Sequence, residues 1–448
     1  MTSSSQAPTL ARRALPQVGG AVTPPPFRVV ALHFVASLAW LLVAAGMLVW
    51  LAPRLVASRV LDPPVLALVH VLMLGVVASA IFGALNQFVP GGLGVPLRSA
   101  RVAMLGFWLL QFGVLLLVAG LWSWRGALQG AGWVFVLGAV GAVSYNTLRV
   151  RRQSVHGRQV GLFLTISHSA LGLGMGVALA RIGDTLGWWH TQRLPLLAAH
   201  AMLGVVGFGT LSAIGVASRM LPTFLLGPGD DSRWMRVQLS VTVSGLLTFV
   251  GGALLHAGVA LRIGGAMLIA AGALGVLLGV RWFRRRHRTL DAALWHVAAA
   301  FLSLALATAV GALLVAGDPS DLSRWSALLV LSLVGWLVTL VLGVMTKILT
   351  HLSYSNLARV MPGFAAIGSP NKLLREDWLL VSAAMLSCGW MGLAGALLLH
   401  HDVVARGSAC LWAAGAALSV ANWMRMLARG RWPGADGALG HTGASSTT

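Results

Sequence analysis

Seven of the 13 histidines lie within long apolar runs of the sequence, where an ionisable side chain is costly and therefore indicates function by default. These are His33, His70, His168, His200, His256, His296 and His351. By contrast, all 11 Asp and Glu residues lie in loops, at the edges of the runs or in the C-terminal tail, which argues against a carboxylate proton relay or a Na⁺ site. The group that remains is neutral imidazole, the usual protein ligand of haem iron and copper.

His70 and His200 stand apart because each opens an apolar run with nearly the same string. The strings are HVLMLGVVASAIFGALNQFVP from His70 and HAMLGVVGFGTLSAIGVASRMLP from His200. We predict that both histidines lie at matching depth, about one helical turn below the outer membrane surface. They are candidate ligands of haem or copper, and the alternative is a pair of buried, hydrogen-bonded structural histidines.

Three further histidines, His33, His168 and His296, recur about 130 residues apart, each near the start of an apolar run. A histidine can hydrogen-bond a neighbouring helix within a membrane, so their shared position indicates either an inherited packing device or a set of ligands.

Three polar residues, Arg219, Lys347 and His351, lie at the cytoplasmic ends of apolar runs. Arg219 and Lys347 are close enough to the membrane surface to reach it with their long side chains, as topological anchors do. The alternative is that they pair with a haem propionate.

Composition excludes a soluble protein. Of the 448 residues, 57% are hydrophobic and 10% are charged, with a mean hydropathy of +0.83, whereas soluble chains carry about 25% charged residues. Lipid satisfies no backbone hydrogen bonds, which excludes open sheets, and continuous apolar runs of about 20 residues favour helices over barrel strands. The sequence therefore predicts an all-α polytopic membrane protein. Cys388 and Cys410 form no CxxC or CxxCH motif, so no zinc knuckle or covalent haem is expected.

Twelve transmembrane helices are predicted at a span of about 20 residues each. They lie near 28–51, 65–90, 101–121, 127–150, 161–181, 196–222, 237–258, 261–282, 290–316, 325–351, 377–399 and 402–427. The membrane domain is thus 28–427, with an N-terminal tail at 1–27 and a C-terminal tail at 428–448.

The net charge of +21 comes from arginines in the short connections between helices, so it indicates membrane topology and not nucleic-acid binding. With twelve helices, 23 Lys and Arg residues lie on the side of the termini and eight lie on the other side, with Lys347 left inside a helix. Because cytoplasmic loops collect positive charge, we expect both termini in the cytoplasm and the protein in the inner (plasma) membrane.

An internal repeat organises the chain. One spaced pattern recurs with a period near 130 residues. It consists of a glycine, a second glycine eight residues later, a long polar side chain four residues after that, and then proline or threonine. The three sets are Gly75, Gly83, Gln87, Pro90; Gly207, Gly215, Arg219, Pro222; and Gly335, Gly343, Lys347, Thr350. We predict three four-helix units at 28–150, 161–282 and 290–427, with the glycines serving helix packing.

The strings at His70 and His200 resemble helices 2 and 6 of haem-copper oxidase subunit I and of the related NnrS family, which also build twelve helices from three four-helix arcs. This resemblance implies that His70 ligates a low-spin haem and that His200 ligates copper. It does not extend to the dinuclear centre. The paired histidines of helix 7, the His-x-His of helix 10 and the cross-linked tyrosine of helix 6 are absent, and the position aligned with His200 is Leu328.

The expected function is therefore an integral membrane protein that binds haem b, with or without copper, and is oxidoreductase-like at most. It would serve electron transfer, nitrogen-oxide response or haem and copper handling, in the lipid bilayer, with a redox partner or as a homo-oligomer. The alternatives are a twelve-helix transporter, which also carries glycine-rich helices and internal repeats, and a membrane subunit without a cofactor.

Overall fold

The computed structural model describes residues 27–154, 157–190, 193–229, 232–318, 320–360 and 370–429. Within these ranges the chain is helical and contains twelve helices long and apolar enough to cross a membrane. They are α1 Phe27–Val56, α2 Pro63–Leu93, α3 Ala100–Trp122, α4 Gly126–Gln153, α5 Arg158–Thr185, α6 Leu194–Leu225, α7 Arg233–Leu254, α8 Gly258–Arg284, α9 Ala292–Ala316, α10 Leu322–Ala358, α11 Glu376–Leu398 and α12 Asp402–Ala428. The predicted all-α polytopic membrane fold is confirmed.

Two helix boundaries differ from the prediction in ways that matter. Helix α10 runs seven residues past the predicted end at 351, so His351 lies within the helix, where it is exposed. Helix α7 ends at Leu254, four residues early, and His256 lies in the following turn with a φ of 54°. The prediction that His256 lies within a membrane span is wrong, because the chain already turns at this residue.

Helices α2, α6 and α10 form the centre of the molecule, and each packs against the helix that precedes it. The other helices surround them in chain order, with α4 against α5, α8 against α9 and α12 closing the ring against α1. Burial agrees with this arrangement for α2 and α10, since 72% and 78% of their most apolar windows are buried, whereas the window of α6 is 44% buried and those of the outer helices are 33–50% buried. Helices α2 and α10 are thus the most deeply enclosed elements.

All three inner helices change to π-helix at corresponding places. The π segments are Val71–Ala78 in α2, Leu203–Thr210 in α6 and Val330–Val338 in α10, and they contact one another at the centre. Such segments are rare, usually a single turn long, and frequently lie at functional sites. The first two begin one residue after His70 and three residues after His200.

Serine and threonine hydroxyl groups donate hydrogen bonds to backbone carbonyls of the three π segments. Ser79, Thr210 and Thr339 each donate to the carbonyl five residues earlier, at 3.4, 3.0 and 3.0 Å. Two more carbonyls accept from the preceding helix, where Ser37 bonds the α2 segment at 2.9 Å and Ser303 bonds the α10 segment at 2.8 Å. Because buried carbonyls require partners, these hydroxyls help to stabilise the π geometry.

The repeated glycines lie where each inner helix packs against the helix before it. They are Gly75, Gly83, Gly207, Gly215, Gly335 and Gly343. A Cβ atom added to Gly83 would lie 2.7 Å from the Cβ of His33, and one added to Gly215 would lie 2.5 Å from the Cβ of Phe163. Real Cβ atoms do not approach this closely, so the glycines serve helix packing, as predicted.

Gly215→Ala should therefore lower stability, because the new methyl group meets a buried, well-packed side chain. We expect a loss of about 1–3 kcal/mol, the usual effect of overpacking, seen as a lower thermal unfolding temperature in detergent. The matched control is Gly172→Ala in α5, where no atom lies within 4 Å of the added Cβ, and this variant should melt at or above the wild-type temperature. Equal melting of the two variants would contradict the close packing.

Reporter fusions test the orientation predicted from charge. A fusion after Gly317, in the connection between α9 and α10, should report the periplasm, and a fusion after Arg288, before α9, should report the cytoplasm. The same location for both fusions would mean that α9 does not cross the membrane.

Candidate functional site

His70 and His200, which begin the two similar sequence segments, lie next to each other between α2 and α6. The ring centroids of His70 and His200 are 5.9 Å apart, and the ring planes are inclined by 19°. Both residues are half-buried. The structure thus brings together two imidazoles that are 130 positions apart in the sequence.

Each of the two rings is fixed by a hydrogen bond to a backbone carbonyl. Nδ1 of His70 bonds the carbonyl of Leu66 at 2.8 Å, one turn earlier on the same helix, and Nδ1 of His200 bonds the carbonyl of Gly174 on α5 at 2.9 Å. A carbonyl only accepts, so both Nδ1 atoms carry hydrogen. In each neutral ring Nε2 consequently keeps its lone pair, which is the state that a metal ligand requires.

The distance between the two ring centroids is compatible with one shared metal atom. Two imidazole nitrogens that each lie about 2 Å from one metal, on opposite sides of it, place their ring centroids roughly 6 Å apart. The observed separation between His70 and His200 is 5.9 Å. Four residues after His200, a Cβ atom added to Gly204 would meet no atom within 4 Å, so α6 is open at this position.

The two histidines do not occupy equivalent positions of the repeat. His70 lies five residues before Gly75, whereas His200 lies seven residues before Gly207. When the repeats are aligned on their glycines, the position equivalent to His200 is Leu68 in α2 and Leu328 in α10. The pairing therefore depends on how α2 and α6 pack, and not on repeat symmetry.

Within the part of the chain that the structure describes, no group of three or more His, Cys, Asp or Glu side chains is placed to hold a metal ion. As a metal site, the pair of His70 and His200 would offer two protein ligands. Such a site suits a metal that brings its own equatorial ligands, as haem does, or a two-coordinate ion.

The three repeated histidines His33, His168 and His296 share one geometry. Each is buried, and each Nδ1 bonds the carbonyl four residues earlier on its own helix, at 2.7, 2.7 and 2.9 Å. The Cβ atoms of His33 and His296 lie against the second glycine of the adjoining inner helix. These contacts favour the packing interpretation for His33 and His296, whereas Nε2 of His168 is buried without a hydrogen-bond partner.

Lys347 forms an ion pair. Its Nζ contacts Oδ2 of Asp291, and the two side chains are only 11% and 13% exposed. Asp291 also caps the start of α9 by accepting from the amide of Leu294 at 3.2 Å, and it lies 3.4 Å from Arg288. The lysine therefore already has a carboxylate partner, and this pairing has no signal in the sequence because it joins residues 56 positions apart.

The remaining candidates lie at the surface. Arg219 and His351 are both exposed, near the ends of α6 and α10. This placement agrees with a role for Arg219 as a topological anchor.

Two features of the site escaped sequence reasoning. The π segments beside the histidines were not predicted, although the hydroxyl residues Ser79, Thr210 and Thr339 at similar places of the repeat were a possible signal. The carbonyl of Gly174 that orients His200 has no signal in the sequence, because any residue supplies a carbonyl.

Comparisons with known proteins add no family assignment. No protein-family model matches the chain, and no curated protein sequence matches it. The function is therefore argued from the site itself.

Proposed function

We propose that this membrane protein binds one b-type haem between α2 and α6, with His70 and His200 supplying the two axial nitrogens. The observation that carries the proposal is the facing pair of imidazoles, both held as the Nδ1-protonated tautomer by backbone carbonyls. On this proposal the chain is a divergent, NnrS-like relative of haem-copper oxidase subunit I.

This arrangement favours electron transfer. A haem supplies an iron that changes between two oxidation states, and two imidazole ligands leave that iron no open position for oxygen or nitric oxide. The protein residues hold the axial nitrogens in place before binding, since both rings are already fixed by hydrogen bonds. A role in nitrogen-oxide response or in haem handling would require one histidine to be displaced.

Copper is the second candidate for the same two nitrogens. Cuprous ion accepts two ligands readily, and imidazole suits copper as well as iron. The structure favours a shared site over separate ones, because the two rings are close enough to serve one metal atom. The resemblance to the oxidases instead implied that His70 serves haem and His200 serves copper.

The test is the absorption spectrum and metal content of the wild-type protein, purified in detergent from haem-supplemented, copper-replete cells. We expect a Soret band, with sharp α and β bands on reduction, and about one haem per chain by the pyridine haemochrome assay. One copper per chain without a Soret band would support the second candidate. A colourless, metal-free preparation would contradict both and leave a transporter or a subunit without a cofactor.

A further inference from the structure

Five arginines surround two adjoining cavities at the end of the molecule that carries the termini. Arg98, Arg149, Arg151 and Arg152 line a cavity of about 310 Å³ with Ser144, Tyr145, Leu148 and Thr165. Arg151 and Arg152 also line a second cavity of about 640 Å³, which Arg158 borders. Because two arginines are shared, the cavities form one continuous basic surface, which we call the arginine pocket.

The backbone around the arginine pocket is held by specific contacts. The amide and carbonyl of Ser99 form reciprocal hydrogen bonds with the side chain of Asn146, at 3.0 and 3.1 Å, which joins the start of α3 to α4. The guanidinium carbon of Arg98 lies 4.2 Å from the ring centroid of Tyr145. These contacts position Arg98 over the end of α4.

Helix α5 closes the other side of the pocket. Gly161 lets α5 approach the backbone of Arg151, since an added Cβ atom would lie 2.6 Å from the Arg151 nitrogen. The 28-residue helix begins at Arg158, and no side chain caps its N-terminus at Gly157. The partial positive charge of this helix end adds to that of the arginines.

The positive charge of the pocket has no internal counter-ion. The sequence contains no Asp or Glu between Asp62 and Asp184, a stretch that includes all five arginines. Among the described residues, no carboxylate forms an ion pair with any of the five. Four of the five side chains, all except Arg149, are exposed, so an anion from outside the chain can reach them and balance the charge.

We propose that the arginine pocket binds the headgroup of an anionic phospholipid carrying two phosphates, of the diphosphatidylglycerol class. The pocket lies at the ends of membrane-spanning helices, beside the half-exposed ring of Tyr145, where phospholipid headgroups lie. Arginine binds phosphate oxygens through two parallel hydrogen bonds, and basic pockets between helices on the cytoplasmic side suit such headgroups. Two adjoining cavities that share Arg151 and Arg152 offer one place for each phosphate.

The experiment compares two variants of the full-length protein, each lacking three charges. R149Q/R151Q/R152Q alters the pocket, and R284Q/R285Q/R286Q alters exposed arginines at the end of α8, on the same side of the membrane. Delipidated wild type and both variants are titrated in detergent with diphosphatidylglycerol, phosphatidylglycerol, phosphatidylcholine or inorganic pyrophosphate, and binding is followed by native mass spectrometry. We expect the Kd for diphosphatidylglycerol to rise about tenfold or more in the pocket variant only.

Four outcomes decide the matter. Loss of diphosphatidylglycerol binding in the pocket variant, with retention in the α8 variant, supports the proposal. Equal weakening in both variants would mean that net charge alone attracts the lipid. Equal affinity of wild type for phosphatidylglycerol and diphosphatidylglycerol would overturn the two-phosphate assignment, and tighter binding of pyrophosphate than of lipid would indicate a soluble ligand. The thermal unfolding temperature of each variant in detergent provides a separate check that it is folded.

Discussion

His70→Ala and His200→Ala should each abolish the low-spin haem spectrum of the purified protein. On the proposed shared site each variant removes one of the two nitrogen ligands, and because the ring centroids are 5.9 Å apart, both losses should affect the same metal atom. We expect haem content to fall about tenfold or more in either variant, since loss of an interaction that orients or forms a metal site typically costs 10–100-fold in affinity. The measurement is the Soret absorbance per protein, with metal analysis alongside.

The comparison between the two variants separates a shared site from separate ones. If His70 served haem and His200 served copper, His200→Ala would keep the Soret band and lose copper. His190→Ala and His351→Ala are the controls, because both side chains are exposed, and both should retain the wild-type spectrum. His33→Ala should also retain haem while melting earlier, as its ring is a buried packing element.

Asp291→Asn should destabilise the protein by about 3–5 kcal/mol, the usual result when one partner of a buried ion pair is removed. The variant leaves the Lys347 ammonium without its carboxylate, on a side chain that is only 11% exposed. The amide oxygen of Asn can still accept from the Leu294 amide, so the variant keeps the cap of α9 and removes the negative charge. The measurement is the unfolding midpoint in detergent.

Lys347→Met removes the other partner of the same ion pair. The remaining Asp291 keeps its contact with Arg288 and its place at the positive end of α9, so this variant should lose less stability than Asp291→Asn. Combining the two substitutions should restore part of the loss, because no uncompensated ammonium remains. Losses that simply add in the double variant would show that the two charges are not coupled as the structure indicates.

The amino-acid sequence determined the secondary structure and the order of the helices. Twelve apolar runs predict twelve helices because lipid leaves the backbone no other way to satisfy its hydrogen bonds. The repeat of Gly75, Gly207 and Gly335 likewise predicts where α2, α6 and α10 pack closely, since a glycine admits a neighbouring helix irrespective of distant contacts. Errors occurred at helix ends, as at His256, where hydropathy does not distinguish a last turn from a loop.

The tertiary structure alone decided which polar groups meet. His70 and His200 differ by two residues in repeat register, and only the packing of α2 against α6, with π segments beside both histidines, brings their ring centroids to within 5.9 Å of each other. Lys347 looked available to an external partner until the structure placed Asp291 against it. Hydropathy and spacing describe each helix along its own axis, whereas a contact between helices depends on their rotation and depth, which are set by side-chain packing around the whole ring.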